Sequence, residues 1–253
     1  MHHSSTWQDV ALTALAPAIW GSSYYVTSQF LPEGYPITHA AFRALPAGLL
    51  LLIIVRRLPP LNWLGRILVL GGLNFSIFWS LLFVASHSLP GGVAATLGAV
   101  QALSVIFLAR FFLGSPVIAL ALVAAAAGVV GVAMLVLGPE ASLDPVGVAA
   151  GLGGALSMAA GTVLSRKWQA GVSPLTFTAW QLTAGGVLLL PLSMLIEPPL
   201  PPLTLDNLLG LLYLGLIGAA LTYYLWFRGV ARIEPSAIST LGFLSPITAV
   251  ILG

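Results

Sequence analysis

Nine apolar stretches of about 20 residues follow one another along this chain, near residues 9–29, 37–55, 66–85, 91–112, 116–138, 146–165, 173–194, 207–229 and 235–253. A helix rises about 1.5 Å per residue, so each stretch matches the roughly 30 Å hydrocarbon layer of a bilayer. The breaks between them are short and polar or proline-rich, such as Leu31-Pro-Glu-Gly-Tyr-Pro36, Arg56-Arg-Leu-Pro-Pro60 and Glu197-Pro-Pro-Leu-Pro-Pro202. Such breaks stop one helix and start the next, and they leave no room for a soluble domain. Only 6% of the residues are charged and 58% are hydrophobic, whereas soluble domains carry about 25% charged residues. The pattern reads as an all-α integral membrane protein whose main partner is the lipid bilayer.

Several function classes fall away at once. The chain has no cysteine, which excludes disulfides, thiolate catalysis and cysteine metal sites. A formal charge of +2 is too small and too dispersed for nucleic acid. There is no phosphate-cradling Gly-x-x-x-x-Gly-Lys loop, so primary ATP-driven transport is not expected, and no cofactor is implied.

The charges give the chain a direction. Threaded nine times through a membrane, it puts Arg56, Arg57, Arg66, Arg110, Arg166, Lys167, Arg228 and Arg232 on one side. Glu33, Glu140, Asp144, Glu197 and Asp206 fall on the other. Basic loops stay in the cytoplasm, so the N-terminus is expected there. Arg43 alone among the basic residues sits within a helix.

The chain also repeats itself. Pro36 to Leu52 returns as Pro174 to Leu190 at an offset of 138, which aligns Thr38 with Thr176, Ala41 with Ala179, Phe42 with Trp180, Arg43 with Gln181 and Gly48 with Gly186. Thr96-Leu97-Gly98 returns as Thr240-Leu241-Gly242 at an offset of 144. Self-similarity at near-fixed spacing means that each repeat is a unit completed by its partner. Five spans fill the first copy, residues 1–140, and an odd number of crossings turns the second copy, residues 141–253, upside down. The expected architecture is an inverted five-plus-five helix repeat with nine spans present. The second copy stops opposite about Ala109, so a tenth helix is expected to be missing.

This order of features, with Trp20-Gly21-Ser22-Ser23 in the first helix, Pro36 followed by Phe42-Arg43, and the Pro235 and Pro246 pair in the ninth, resembles the EamA-type transporters of the drug/metabolite transporter superfamily. The resemblance implies an alternating-access carrier of small metabolites in the bacterial inner membrane. It also implies frequent amino-acid export and a cavity between the two repeats.

Sites in inverted-repeat carriers lie near the midplane at the repeat interface. Counting along each helix puts Trp20 to Ser23, Asn74, Gln101, Ser157, Gly218 to Thr222 and Ser245 near half depth. Asn74 and Phe78 stand one turn apart with Trp79 beside them, and Trp20 and Tyr24 do the same on the first helix. The expected site is an aromatic box that holds a solute's apolar part while Asn74 and Gln101 bind its amino or carboxylate group. Ser157, Tyr223 and Ser245 complete the candidate list. The plain alternative is that the amides tie neighbouring helices together and the aromatics simply pack.

Arg43 shares a helix face with His39. Its burial costs at least a few kcal/mol unless it is paired or hydrated. It is expected to act as an outer-half gate or as a counter-charge for a solute carboxylate, against the alternative that it snorkels outward or pairs with Glu33. No Asp or Glu occurs at mid-depth in any span, which favours a facilitator or exchanger over a proton pump. Two rival functions are an intramembrane enzyme acting on lipid-linked substrates and a helical bundle that transports nothing. The enzyme would need a cluster of acids, histidines or a metal site at a membrane face, and the sequence offers none.

Overall fold

The structure, a computed structural model, describes residues 7–89, 97, 99–136, 144–169 and 171–252. Helix α1 is Trp7–Phe30 and α2 is Pro36–Val55. The third span, α3, runs Leu64–Gly71, widens into a π-helical turn over Gly72–Ile77 and continues as Phe78–Ser88. Then come α4 (Ala99–Leu113), α5 (Ala119–Val136), α6 (Pro145–Lys167) and α7 (Pro174–Ile196). The eighth span, α8, again has three parts, Leu205–Gly215, a π-helical turn Leu216–Leu221 and Thr222–Arg232. The last, α9, is divided into Pro235–Leu241 and Leu244–Leu252. By length and apolarity alone, five helices among the described residues are able to cross a membrane: α2, α3, α6, α7 and α8.

The sequence dictates where these helices begin. Proline opens α2, α6, α7 and α9, where its missing N–H costs nothing and its fixed φ suits the first turn. Side chains satisfy other free amides: Asp144 accepts from Val146 N, Ser173 from Thr176 N, and Thr204 and Asn207 cap each other reciprocally.

The most extensive helix–helix contact is α2 against α7, the two copies of the sequence repeat. They run antiparallel. At one end, the carboxylate of Glu197, just past α7, accepts from the amides of Ile37 (2.6 Å) and Thr38 (2.7 Å) in the first turn of α2. At the other, the indole of Trp180 in α7 donates to Arg57 O, just past α2, at 2.7 Å. Between them the backbones touch. A methyl added at Gly48 would lie 2.5 Å from Thr183 N, and one added at Gly186 would lie 2.6 Å from Leu45 Cα. Small residues let helices approach this closely when no hydrophobic drive exists between them. Glu197 thus holds the positive end of the α2 dipole from another helix. Glu197→Ala is expected to destabilise the protein by about 1–2 kcal/mol, read as a lower thermal midpoint in detergent, with Glu197→Gln losing less.

The charged residues gather as the loop count requires. Arg66 lies over the rings of Trp63 (5.0 Å) and Trp168 (5.9 Å). Arg228 and Arg232 reach Asp9 at 2.6 and 3.1 Å. Arg166 donates to Val230 O and Ile233 O and stands 4.0 Å from Glu234. These groups all lie at the end of the bundle that carries the start of α1 and the ends of α6 and α8. Glu33 is exposed beyond the opposite end. Pro90, Thr96 and Gly98, which carry one side of the second sequence echo, lie outside the described residues, as does Glu140.

Candidate solute-binding site

The two π-helical turns stand at equivalent places: Gly72–Ile77 and Leu216–Leu221 are offset by 144 residues at both ends, the offset of the second echo. A π turn shifts the ladder by one residue and releases a carbonyl, which another group must satisfy. In α3 the carbonyl of Leu73 takes the hydroxyl of Ser157 from α6 at 2.8 Å. In α8 the carbonyl of Gly218 takes Arg43 Nη2 from α2 at 2.5 Å and Thr222 Oγ1 at 2.9 Å.

Arg43 therefore leans inward, not toward Glu33. Its guanidinium also lies 4.9 Å from the ring centre of Trp79, a cation–π contact that offsets part of its desolvation. Trp79 belongs to a buried aromatic cluster drawn from α1, α3 and α8. Tyr223 is its hub, with ring centres 4.6 Å from Phe75, 4.8 Å from Trp20 and 6.0 Å from both Trp79 and Phe227. The indole N–H of Trp20 is fixed by Thr222 Oγ1 at 2.8 Å. Beside Arg43 and Gly218 stands the hydroxyl of Ser23, buried and without a hydrogen-bond partner among the described residues. A cation, an orphan hydroxyl and an aromatic wall are the ingredients for holding a carboxylate with an apolar body.

Of the candidate residues, the structure brings together Trp20, Trp79 and Tyr223, and Arg43, named separately as a gate or counter-charge, joins them at Trp79. His39 is buried one turn before Arg43 on α2, its ring 6.4 Å from that of Tyr35. Phe78 only flanks the core; Phe75, which the sequence reading passes over, takes its place against Tyr223. The side chain of Tyr24 lies outside the described set.

Asn74 is elsewhere. It is completely buried, and its Nδ2 donates to Gln181 Oε1 (2.8 Å) on α7 and Ser165 Oγ (3.1 Å) on α6. Ser165 Oγ also donates to Gln181 Oε1 at 3.1 Å. Gln101 lies half-buried on α4, a helix that packs on α5, α6 and the first part of α9. Ser157 is the α6 tie to Leu73, and Ser245 is half-buried where the second part of α9 begins, against α1. Gln181 and Ser165, which the sequence reading did not select, carried one signal: Gln181 aligns with Arg43 at the offset of 138.

These contacts are reciprocal. Applying 138 to α1 and α2 and 144 to α3 turns the pair Arg43 and Gly218 into Gln181 and Asn74, which are also bonded. Ser23 beside Gly218 becomes Gly161, where an added Cβ would strike Asn74. Gly48 against Thr183 becomes Gly186 against Leu45. Trp79 and Tyr223 are each other's equivalents, and they touch. A set of contacts that maps onto itself when partners are exchanged is the mark of a two-fold relation.

The chain was compared with known proteins. The EamA-like transporter family matches it twice, over residues 9–137 and 145–253. It is 48% identical to "Protein PecM" of Dickeya dadantii over 94% of this chain and 80% of that protein. It is 30% identical to the "Uncharacterized inner membrane transporter YedA" of Escherichia coli over 93% of this chain and 78% of that one. A solved crystal structure superimposes with a TM-score of 0.77 at 20% identity, covering 98% of this chain and 88% of the other; at that identity the likeness concerns the fold.

Proposed function

Because the chain belongs to the EamA-like transporter family of multi-pass membrane carriers, we propose that it moves small metabolites, amino acids or related amphipathic compounds foremost, across the inner membrane by alternating access. The observation that carries this reading is the exchange of partners between the Arg43–Gly218 and Gln181–Asn74 contacts. Residues 1–140 and 141–253 act as inverted halves. The basic end of the bundle faces the cytoplasm, so the Arg43 contact closes the outer half of the path and the Gln181 contact closes the inner half. Loosening one while the other holds opens the centre to one side at a time.

At the centre, Arg43 and Ser23 meet the carboxylate of the solute, and Trp20, Trp79 and Tyr223 hold its apolar part. Amino acids fit that chemistry. The absence of any Asp or Glu at mid-depth in the sequence supports exchange or facilitation over proton coupling.

Counterflow in liposomes tests the reading. Protein reconstituted with a trapped solute is expected to exchange labelled amino acids saturably, and to exchange sugars and cationic drugs far more slowly. Silence toward amino acids alongside exchange of another class rejects the substrate assignment; silence across the whole panel rejects the carrier.

A further inference from the structure

A cavity of about 280 Å³ opens at the basic end of the bundle, lined by residues of α6, α7 and α8 and the loop between α6 and α7, among them Ser165, Gln169, Phe177, Phe227 and Ala231. It is separate from the aromatic cluster around Arg43, although Phe227 borders both. Ser165 in its wall joins it to the amide cluster behind: the Ser165 hydroxyl donates to Gln181 Oε1 and accepts from Asn74 Nδ2. That cluster is incompletely satisfied. Asn74 Oδ1 and Gln181 Nε2, on two side chains with no exposure, have no partner among the described residues, and neither has Thr162 Oγ1 one turn from Ser165. A buried polar atom left unpaired costs about 1–3 kcal/mol. An unpaired acceptor and an unpaired two-proton donor within one buried network that reaches a cavity through Ser165, with an unpaired hydroxyl one turn from Ser165, are more than packing explains.

We propose that this cavity is a second solute subsite, one that takes an uncharged head able both to donate and to accept hydrogen bonds, such as a primary amide, with a small aromatic or aliphatic body against Phe177 and Phe227. The head replaces part of the Asn74–Gln181–Ser165 network and meets its unpaired atoms. The Phe177 and Phe227 rings, 6.3 Å apart in an edge-on pair, form the apolar wall. Among the described residues, no charged side chain lines the cavity. Arg166 near its rim is held by Val230 O and Ile233 O and stands beside Glu234. A charged head would lose its hydration and gain no counter-charge. The volume lies just under the roughly 300–1,000 Å³ of ordinary ligand pockets, so the occupant is small. This occupant is distinct from the carboxylate-bearing solute read for the Arg43 site, and its binding does not depend on the transport reading above.

The cysteine-free chain makes the test simple. Ala231→Cys and, separately, Gln169→Cys place a single thiol on an exposed lining residue, and Leu58→Cys places one on the same face of the bundle outside the cavity. Each purified variant is reacted with N-ethylmaleimide in nanodiscs, alone and with benzamide, benzoate or benzylammonium at equal concentrations up to 20 mM. Benzamide is expected to slow labelling of the two cavity thiols at least fivefold, saturably, and to leave Leu58→Cys unchanged. Adding Gln181→Leu to the cavity variants is expected to abolish the protection. Two independent cavity variants guard against misfolding of either. No protection by benzamide, equal protection by the charged analogues, or protection that survives Gln181→Leu overturns the proposal. Counterflow by the parent protein is measured separately, so its outcome and that of the labelling are read independently.

Discussion

Arg43→Ala is expected to reduce counterflow of a carboxylate-bearing solute at least tenfold while leaving a folded protein. The guanidinium makes a charge-assisted hydrogen bond to Gly218 O and a contact with Trp79. Hydrogen bonds to charged groups contribute about 1.5–3 kcal/mol, and every 1.4 kcal/mol is a factor of about ten. The fold survives because Gly218 O keeps its bond from Thr222 Oγ1, so the carbonyl freed by the π turn is not abandoned. Arg43→Lys retains the charge but not the planar fork, and should fall between the two. The checking measurement is the rate and half-saturation of exchange at matched amounts of monodisperse protein. If Arg43→Ala exchanges with unchanged constants, Arg43 is neither gate nor counter-charge.

The largest effect on stability is expected at the crossing of α2 and α7. Gly186→Leu drives a side chain into the Leu45 backbone, where even a methyl lies 2.6 Å from Cα, Cβ and N. Backbone atoms of a packed helix cannot turn aside as a side-chain tip can. The cost should exceed the roughly 1–3 kcal/mol of ordinary overpacking, and little monodisperse protein should be recovered. Gly48→Leu, facing the Thr183 backbone, is expected to behave alike. Two controls separate crowding from any general intolerance of larger residues. At Gly153 a methyl meets only the tip of Leu81, at 3.1 Å, and at Gly65 nothing lies within 4 Å. Gly153→Ala should cost little, and Gly65→Ala should be neutral or stabilising. Fluorescence size-exclusion profiles and thermal midpoints read all four.

Much of this was legible in the sequence, for a physical reason. A span must be apolar over its whole length, so its boundaries show as composition, and among the described residues the helices follow the apolar stretches, the last of them broken at residues 242–243. The packing of α2 on α7 was implicit in the strongest repeat. What stayed hidden was register. Counting from Asn74 puts Phe78 on its face; in the structure Asn74 instead faces α6 and α7, while Phe75 and Trp79, themselves one turn apart, stand on the tyrosine hub. The equivalence of Asn74 with Gly218 was masked as well. Helix α7 is three residues longer than α2, and the first part of α8 is three longer than that of α3, which moves the offset from 138 to 144 by the π turn of each half. A reader holding to one offset sees Arg43 opposite Gln181 but never sees what each of them touches.

The two equivalent contacts differ in charge: one is made by a cation, the other by a neutral amide. Displacing a whole elementary charge through 100 mV is worth about 2.3 kcal/mol, so in the proposed cycle even a fraction of that travel by Arg43 would couple its half of the cycle to membrane polarisation. Gln181 offers the voltage nothing to act on. A machine that is symmetrical in shape is therefore lopsided electrically, and the polarity of the cell should favour one of its two resting positions before any solute binds.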